Sequence, residues 1–249
     1  MKQTPTRRND AFFPMLVNLA GRKCLVVGAG TIAAAKIKGL LLCDADVVVV
    51  SPRAVQAIQR LARAGRLAWR RRAFSRRDVQ GKFLAVAATN SSKVNEAVFR
   101  ACVAQGVLCN SVDDPEHCDF IYPAVARRGP LQIAISTGGR SPALAARLRR
   151  EMEPQFGPEW SAWVEHLGRR REELLREKMP VKSRRRRLQQ MASPKAFRDF
   201  LCDRGPATAR KKPARLDRLF GSGTNAEKVT ATATGGILSL PGKQNGSPS

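Results

Sequence analysis

The amino-acid sequence predicts an α/β protein organised on a doubly wound parallel sheet. Three observations predict it. "KCLVVG" (residues 23–28) is a continuous apolar run that stops at glycine, as a strand buried on both faces does. Gly28-Ala29-Gly30-Thr31-Ile32-Ala33 then forms a G-x-G-x-x-A pattern that opens a helical segment. Strand-like and helix-like segments alternate from there to about residue 113, which favours parallel strands joined by crossovers.

Each element has its own signal. In "TIAAAKIKGLLLCD" Ile32, Ala35, Leu40 and Leu41 fall near one helical face, with Lys36 elsewhere. "ADVVVVSP" is a second buried strand, stopped by Pro52. "AVQAIQRLARAG" is an amphipathic helix with Gly65 as its C-terminal cap. "RLAWRRRAF" predicts a third strand and "KFLAVAATN" a fourth. The helical "SSKVNEAVFRACVAQG" and the short strand "VLCNSVDD" follow. After that the pattern changes. "DFIYPAV", a turn at "ARRGP", and "LQIAIST" read as a hairpin or two extended segments. Ser141 and Pro142 suit the N-cap and first position of the next helix. Trp160, Trp163, Val164, Leu167, Leu174 and Leu175 carry helical spacing through residues 157–178. From about Pro180 order is expected to fade, with "KSRRRRLQQ" suited to prolonging a helix and "SGTNAEKVTATATGGILSLPGKQNGSPS" of low complexity.

Composition narrows the function classes. The 249 residues carry 45 Lys+Arg against 20 Asp+Glu, a net charge of +25. Residues 1–150 hold 25 of those basic and 9 of those acidic side chains, so a basic tail alone does not explain the excess. Such a surface gathers anions: nucleic acid, anionic lipid or a polycarboxylate. The six cysteines form no CxxC pair, and several lie in apolar runs, as in a reduced cytoplasmic protein. No apolar stretch approaches the ~18 residues of a membrane span, and Pro14 and Asn18 interrupt the N-terminal run, so neither a membrane segment nor a signal peptide is expected.

The glycine pattern has a physical meaning. Gly28 permits a tight turn, Gly30 lets backbone approach a pyrophosphate, and Ala33 lets helix and strand pack closely. The pattern predicts a Rossmann-like dinucleotide site, with a purely structural glycine turn as the alternative. Its usual partner, an acid ending the second strand, is replaced by Ser51-Pro52-Arg53. Arg53 suits a 2′-phosphate and Ser51 a ribose hydroxyl; the residues leave NAD and NADP open. "CNSVDDPEHCDF" gathers Cys109, Asp113, Asp114, Glu116, His117, Cys118 and Asp119 beyond a sheet strand. The spacing matches no standard ligand pattern, so no permanent metal site is expected, and a carboxylate there suits a general base better. The basic runs at Trp69-Arg70-Arg71-Arg72 and Arg184–Arg187 lack the aromatic interleaving of an RNA-binding face.

Four segments taken together resemble the precorrin-2 dehydrogenase/sirohydrochlorin ferrochelatase family, also found as the N-terminal half of siroheme synthase. They are "FFPMLVNLAGRKCLVVGAGTIAAAKI", "FLAVAATNSSKVNEAVFRAC", "VLCNSVDDPEHCDFIYPAVARRGPLQIAISTGGRSPALAARLR" and the helical stretch after it, covering roughly residues 11–175. The resemblance implies NAD-dependent oxidation of precorrin-2 to sirohydrochlorin and, in members that also chelate, Fe²⁺ insertion into the same macrocycle. It places the cofactor loop on Gly28, Gly30, Thr31 and Ile32, continued by Ser51, Pro52 and Arg53, with Thr89 and Asn90 near the nicotinamide. Asp113 takes the place of the general base and transient Fe²⁺ contact, with Asp114 as its rival. Ser136, Thr137, Gly138, Gly139 and Ser141 line the cleft on the dimer side, and the family is homodimeric. Precorrin-2 is rimmed with carboxylates, so Arg127, Arg128 and Arg140 are the candidate substrate anchors.

The resemblance has departures. Ala29 stands in place of one family glycine, and Ala35 precedes Lys36 where an Arg-Lys pair is usual. No methyltransferase region is expected. The implied organisation is a flexible N-terminus over 1–10, an NAD-binding Rossmann domain over 11–113, and a dimerisation and active-site region over 114–145. A helical region over 146–180 and a basic, largely disordered tail over 181–249 complete it. The competing reading is a Rossmann-type redox or nucleotide sensor that binds nucleic acid through its basic surface.

Overall fold

The computed structural model describes residues 12–203; the flexible N-terminus expected over 1–10, and the expected tail beyond 203, lie outside them. The chain divides into two compact units. One runs to Val125 and takes in Ala134–Arg149, and the other holds Ala126–Ile133 and the chain from Arg150.

Five parallel strands form the centre of the first unit: β1 (Lys23–Val27), β2 (Asp46–Val50), β3 (Ala68–Arg70), β4 (Leu84–Ala87) and β5 (Leu108–Ser111). Their order is β3-β2-β1-β4-β5. The continuous apolar runs are explained by burial on both faces. Cys24 and Val26 pack with Ile37, Leu40 and Ile58, while Leu25 and Val27 pack with Val79, Val98 and Cys102. Helices α1 (Thr31–Leu41) and α2 (Gln56–Arg63) cover the first face, and α3 (Ser92–Gln105) covers the second. Gly65, at φ +68°, ends α2 as expected. The strand order reverses between β1 and β4, where Val27 is paired with both Val50 and Ala87. Sheets of this class take ligands beyond the carboxyl ends at that reversal.

Two details depart from the sequence reading. The buried face of α1 is Ala33, Ile37 and Leu40, whereas Ile32 is 51% exposed. Close packing of Ala33 against the strand sets that phase and turns Ile32 outward. The third strand spans only Ala68–Arg70, because the chain then turns so that Arg70 and Arg72 grip the buried Asp78 carboxylate, at 2.8 and 2.6 Å. Asp78 also accepts from Ser75 N at 2.9 Å. Arg71 lies over the Trp69 ring, 4.4 Å from its centroid. One of the two basic runs is therefore committed to structure.

That ion pair predicts a pH effect. The Arg72 guanidinium, with Ser75 N–H and Arg70 behind it, holds the Asp78 carboxyl at about 2, below its ordinary 3.8. A carboxyl lowered in the folded state stabilises the fold above its unfolded value and loses that contribution as pH falls toward the folded value. Asp78→Asn is expected to lose about 2 kcal/mol at pH 7. Urea unfolding should show the gap from wild type closing between about pH 4 and 2. A gap that stays constant over that range contradicts the role given to the pair.

The hairpin is present as β6 (Ala124–Arg128) and β7 (Leu131–Ile135), its strands shared between the units. Helix α4 (Pro142–Met152) begins as predicted, with Ser141 Oγ accepting from Leu144 N at 3.3 Å. The expected fading of order at Pro180 is corrected. After α5 (Glu159–Arg176) come α6 (Val181–Met191) and α7 (Pro194–Asp203). The reason is aromatic packing. Phe197, 2% exposed, sits 4.6 Å from Trp160 and 5.5 Å from Trp163 between ring centroids, and Phe200 lies 4.9 Å from Trp163. His166 stacks on Trp163 in the same cluster and is structural. Among the described residues no helix is long and apolar enough to cross a membrane.

Candidate active site

A cleft of about 700 Å³ opens beyond the carboxyl ends of β1, β2 and β4. Gly28–Gly30, Ser51–Val55 and Ala88–Ser91 line it, with Phe74 and Val94. Gly28 adopts φ +102°, and a Cβ built there would overlap the Ala88 carbonyl oxygen. Only glycine fits at that point. Gly30 has ordinary backbone angles, but nothing lies within 4 Å of where its Cβ would be. The space above it is open to a ligand. The first turn of α1 has no side-chain cap and no acidic residue, and its first backbone bond is Ala34 N to Gly30 O. The N–H groups of Thr31 and Ile32 are thus available to an anion at the positive end of the helix. These residues fit a dinucleotide pyrophosphate.

Two walls continue the cleft. On one, the Ser51 hydroxyl donates to Arg53 O at 2.7 Å, and Trp69 Nε1 donates to Ser51 O at 3.0 Å. The Arg53 side chain is exposed at the rim, and no acid stands at the strand end. On the other, Asn95 fastens the Thr89 turn. Its Oδ1 accepts from Thr89 Oγ1 at 2.7 Å and Thr89 N at 3.2 Å, and its Nδ2 donates to Thr89 O at 3.1 Å. Asn95 is buried and was missed in the sequence. An amide beside Val94 on the apolar side of α3 was its only signal.

Asp113 lies on the loop after β5, exposed and at φ +60°. The loop is clasped from behind. Asn110 Nδ2 donates to Phe120 O at 2.8 Å, and Asp119 Oδ2 accepts from Cys109 N at 3.0 Å. The Cys118 thiol reaches Ser111 O at 3.1 Å and Asp114 O at 3.3 Å. Asp114 Oδ2 is 2.6 Å from His117 Nδ1, whose ring packs on Phe99. Asp114, His117, Cys118 and Asp119 thus serve the loop itself, while the Asp113 carboxylate stays exposed. Among the described residues no three of them gather as a metal site. Lys36, also missed as a site residue, reaches this loop from α1. Its ammonium lies over the Tyr122 ring, 3.8 Å from the centroid, and burial lowers its pKa against the opposing influence of Cys118 and Asp113.

The remaining candidates separate. Ser136 Oγ accepts from Gly138 N at 3.1 Å and Thr137 Oγ1 from Ser141 N at 2.9 Å, so these residues build one turn at the start of α4. Arg140 belongs to that turn. Arg127 and Arg128 fall in the second unit. Arg127 is exposed there. Arg128 does not stand ready for a substrate carboxylate: Nε donates to Phe156 O at 2.7 Å, and its other nitrogens reach Arg127 O and the Glu153 carbonyl and carboxylate. Its guanidinium ties the hairpin to the residues after α4.

Comparison with known proteins agrees with this geometry. Residues 15–124 match a family of NAD(P)-binding domains, and residues 128–155 match the central region of sirohaem biosynthesis proteins. Siroheme synthase of Actinobacillus succinogenes is 32% identical over 234 residues, which cover 94% of this chain and 49% of that protein. The enzyme of the same name from Nitrosococcus oceani is 39% identical over 142 residues, covering 57% of this chain and 30% of that protein. This chain therefore spans about half, or less, of the length of these curated relatives. A solved structure of SirC, precorrin-2 dehydrogenase, superposes with a TM-score of 0.65 at 29% identity, covering 77% of this chain and 98% of that one. Both matched regions fall in order along this chain, which is thus similar to the siroheme synthases over about half of their length and to SirC over nearly all of its length.

Proposed function

We propose that this protein dehydrogenates precorrin-2 to sirohydrochlorin, with NAD⁺ as the hydride acceptor. One observation carries the reading: a pyrophosphate-fitting cleft and an exposed carboxylate, Asp113, both stand beyond the carboxyl ends of one sheet. Likeness to SirC along nearly all of that chain supports the substrate. The oxidation removes a hydride and a proton from the macrocycle. When bound, the nicotinamide supplies the hydride-accepting carbon. The chain does the rest. Gly28, Gly30 and the N–H groups of Thr31 and Ile32 hold the pyrophosphate, and the Asn95-braced Thr89–Asn90 turn walls the nicotinamide end. Asp113 accepts the ring proton as the hydride leaves, so the products are sirohydrochlorin, NADH and a proton.

Further parts of the same reading are a homodimer joined through the region after the sheet, the Ser136–Ser141 turn at the substrate side, and Fe²⁺ as a second substrate that meets Asp113. Arg140, in the unit that also holds Asp113, keeps its proposed place as a carboxylate contact. Purified protein given precorrin-2 and NAD⁺ tests the reading, followed by the absorbance of sirohydrochlorin and NADH. Adding Fe²⁺ to the same mixture reports chelation through the spectrum of siroheme. For the choice of cofactor, NAD⁺ is expected to bind at least about tenfold more tightly than NADP⁺, since Ser51 stands where the ribose hydroxyl is read. Calorimetric titration checks this. Tighter NADP⁺ binding would assign Arg53 to a 2′-phosphate instead.

A further inference from the structure

Lys36 carries chemistry that its place on a helix does not require. It projects from α1 toward the loop that bears Asp113, and its ammonium is seated on the face of Tyr122, which meets Phe120 edge-on at 5.5 Å between centroids. The seat confines a normally wandering side chain to one position. Lys36 is half-buried, and none of the ion pairs among the described residues includes it. Asp113 acts on the ammonium without forming an ion pair, and a π face compensates only part of the cost of removing that charge from water. A bound carboxylate would compensate more fully through a charge-assisted hydrogen bond. Arg128, meanwhile, is engaged within its own unit.

Building on the proposed function, we propose that Lys36 is a specificity-determining substrate contact, whose ammonium takes one peripheral carboxylate of the macrocycle beside Asp113. The carboxylate then fixes which edge of the ring faces the proton acceptor. Tyr122 acts as the positioning residue that holds the ammonium at its station.

The test uses the full chain carrying Lys36→Met, Lys36→Arg or Tyr122→Leu. It measures kcat and KM for precorrin-2, sirohydrochlorin affinity by absorbance titration, and NAD⁺ affinity. Lys36→Met is expected to raise KM and the sirohydrochlorin Kd by about 10–100-fold, with kcat changed by less than about threefold. Lys36→Arg recovers part of that loss. Tyr122→Leu raises both constants by a smaller factor, with NAD⁺ binding unchanged. Sirohydrochlorin affinity equal to wild type in Lys36→Met, or a fall in kcat at constant KM, overturns the assignment. If Lys36→Met also loses NAD⁺ binding and so fails to fold, Tyr122→Leu decides: unchanged sirohydrochlorin affinity overturns the proposal. A wild-type protein that neither binds sirohydrochlorin nor oxidises precorrin-2 refutes the functional reading itself. An active wild type with an unaffected Lys36→Met refutes only the role of Lys36.

Discussion

Replacing Asp113 by alanine is expected to lower kcat/KM for precorrin-2 by about 10²–10⁴-fold, while NAD⁺ affinity stays within about threefold. The size follows from the task. A positioned base contributes on that scale, and water can replace its function only poorly. Position and access are what the loop provides. The carboxylate is exposed at the end of β5, on a residue held at φ +60° by a loop clasped through Asn110, Cys118 and Asp119. Asp114, its neighbour, is 2.6 Å from His117 Nδ1 and stands as the weaker candidate. Asp113→Asn keeps size and polarity but cannot take a proton, so it should fall as far as alanine. Asp114→Ala should fall much less. Equal losses at both positions would mean that loop geometry, rather than proton transfer, is being measured. Retained NAD⁺ binding in each variant separates lost chemistry from lost fold.

Gly28→Ala is expected to weaken NAD⁺ binding by at least about 100-fold and to destabilise the protein by more than about 2 kcal/mol. An added Cβ would overlap the Ala88 carbonyl oxygen and sit 2.6 Å from its carbon. Neither side can retreat easily. Gly28 N donates to Val50 O at 3.0 Å, and Ala88 N donates to Val27 O at 2.8 Å, so both chains are fastened to the sheet. The positive φ adds strain for any L side chain. Gly30→Ala is the informative contrast. Nothing lies within 4 Å of its added methyl group, so melting temperature should hold while NAD⁺ affinity drops. Two glycines two residues apart thus separate a folding requirement from a binding requirement. Thermal unfolding with and without NAD⁺ reads both.

The sheet was legible because its strands are buried on two faces, and a run such as "DVVVV" admits few other readings. The glycine loop was legible because each position answers a separate steric demand. Helix phase was less so. In an alanine-rich α1 the apolar pattern is weak, and contact with the sheet, through Ala33 and Ile37, decides which side is buried. The segment from Val181 to Asp203 was misread as part of a largely disordered tail, since its arginine run masks Phe197 and Phe200, which become apolar anchors only against Trp160 and Trp163. Arg128 and Lys36 exchanged expectations for a similar reason. Charge is visible in sequence, but the partner that engages or leaves it is tertiary. Asn95 and Asp78 show the same limit, because a buried polar residue is identified by bonds made to residues at a turn's distance or more.

The central claim meets its most direct test in a single anaerobic reaction of the purified chain with precorrin-2, run with and without NAD⁺. Sirohydrochlorin forming only with NAD⁺, at one NADH per macrocycle, is the predicted result. No NAD⁺-dependent sirohydrochlorin from a folded protein that binds NAD⁺ would contradict it.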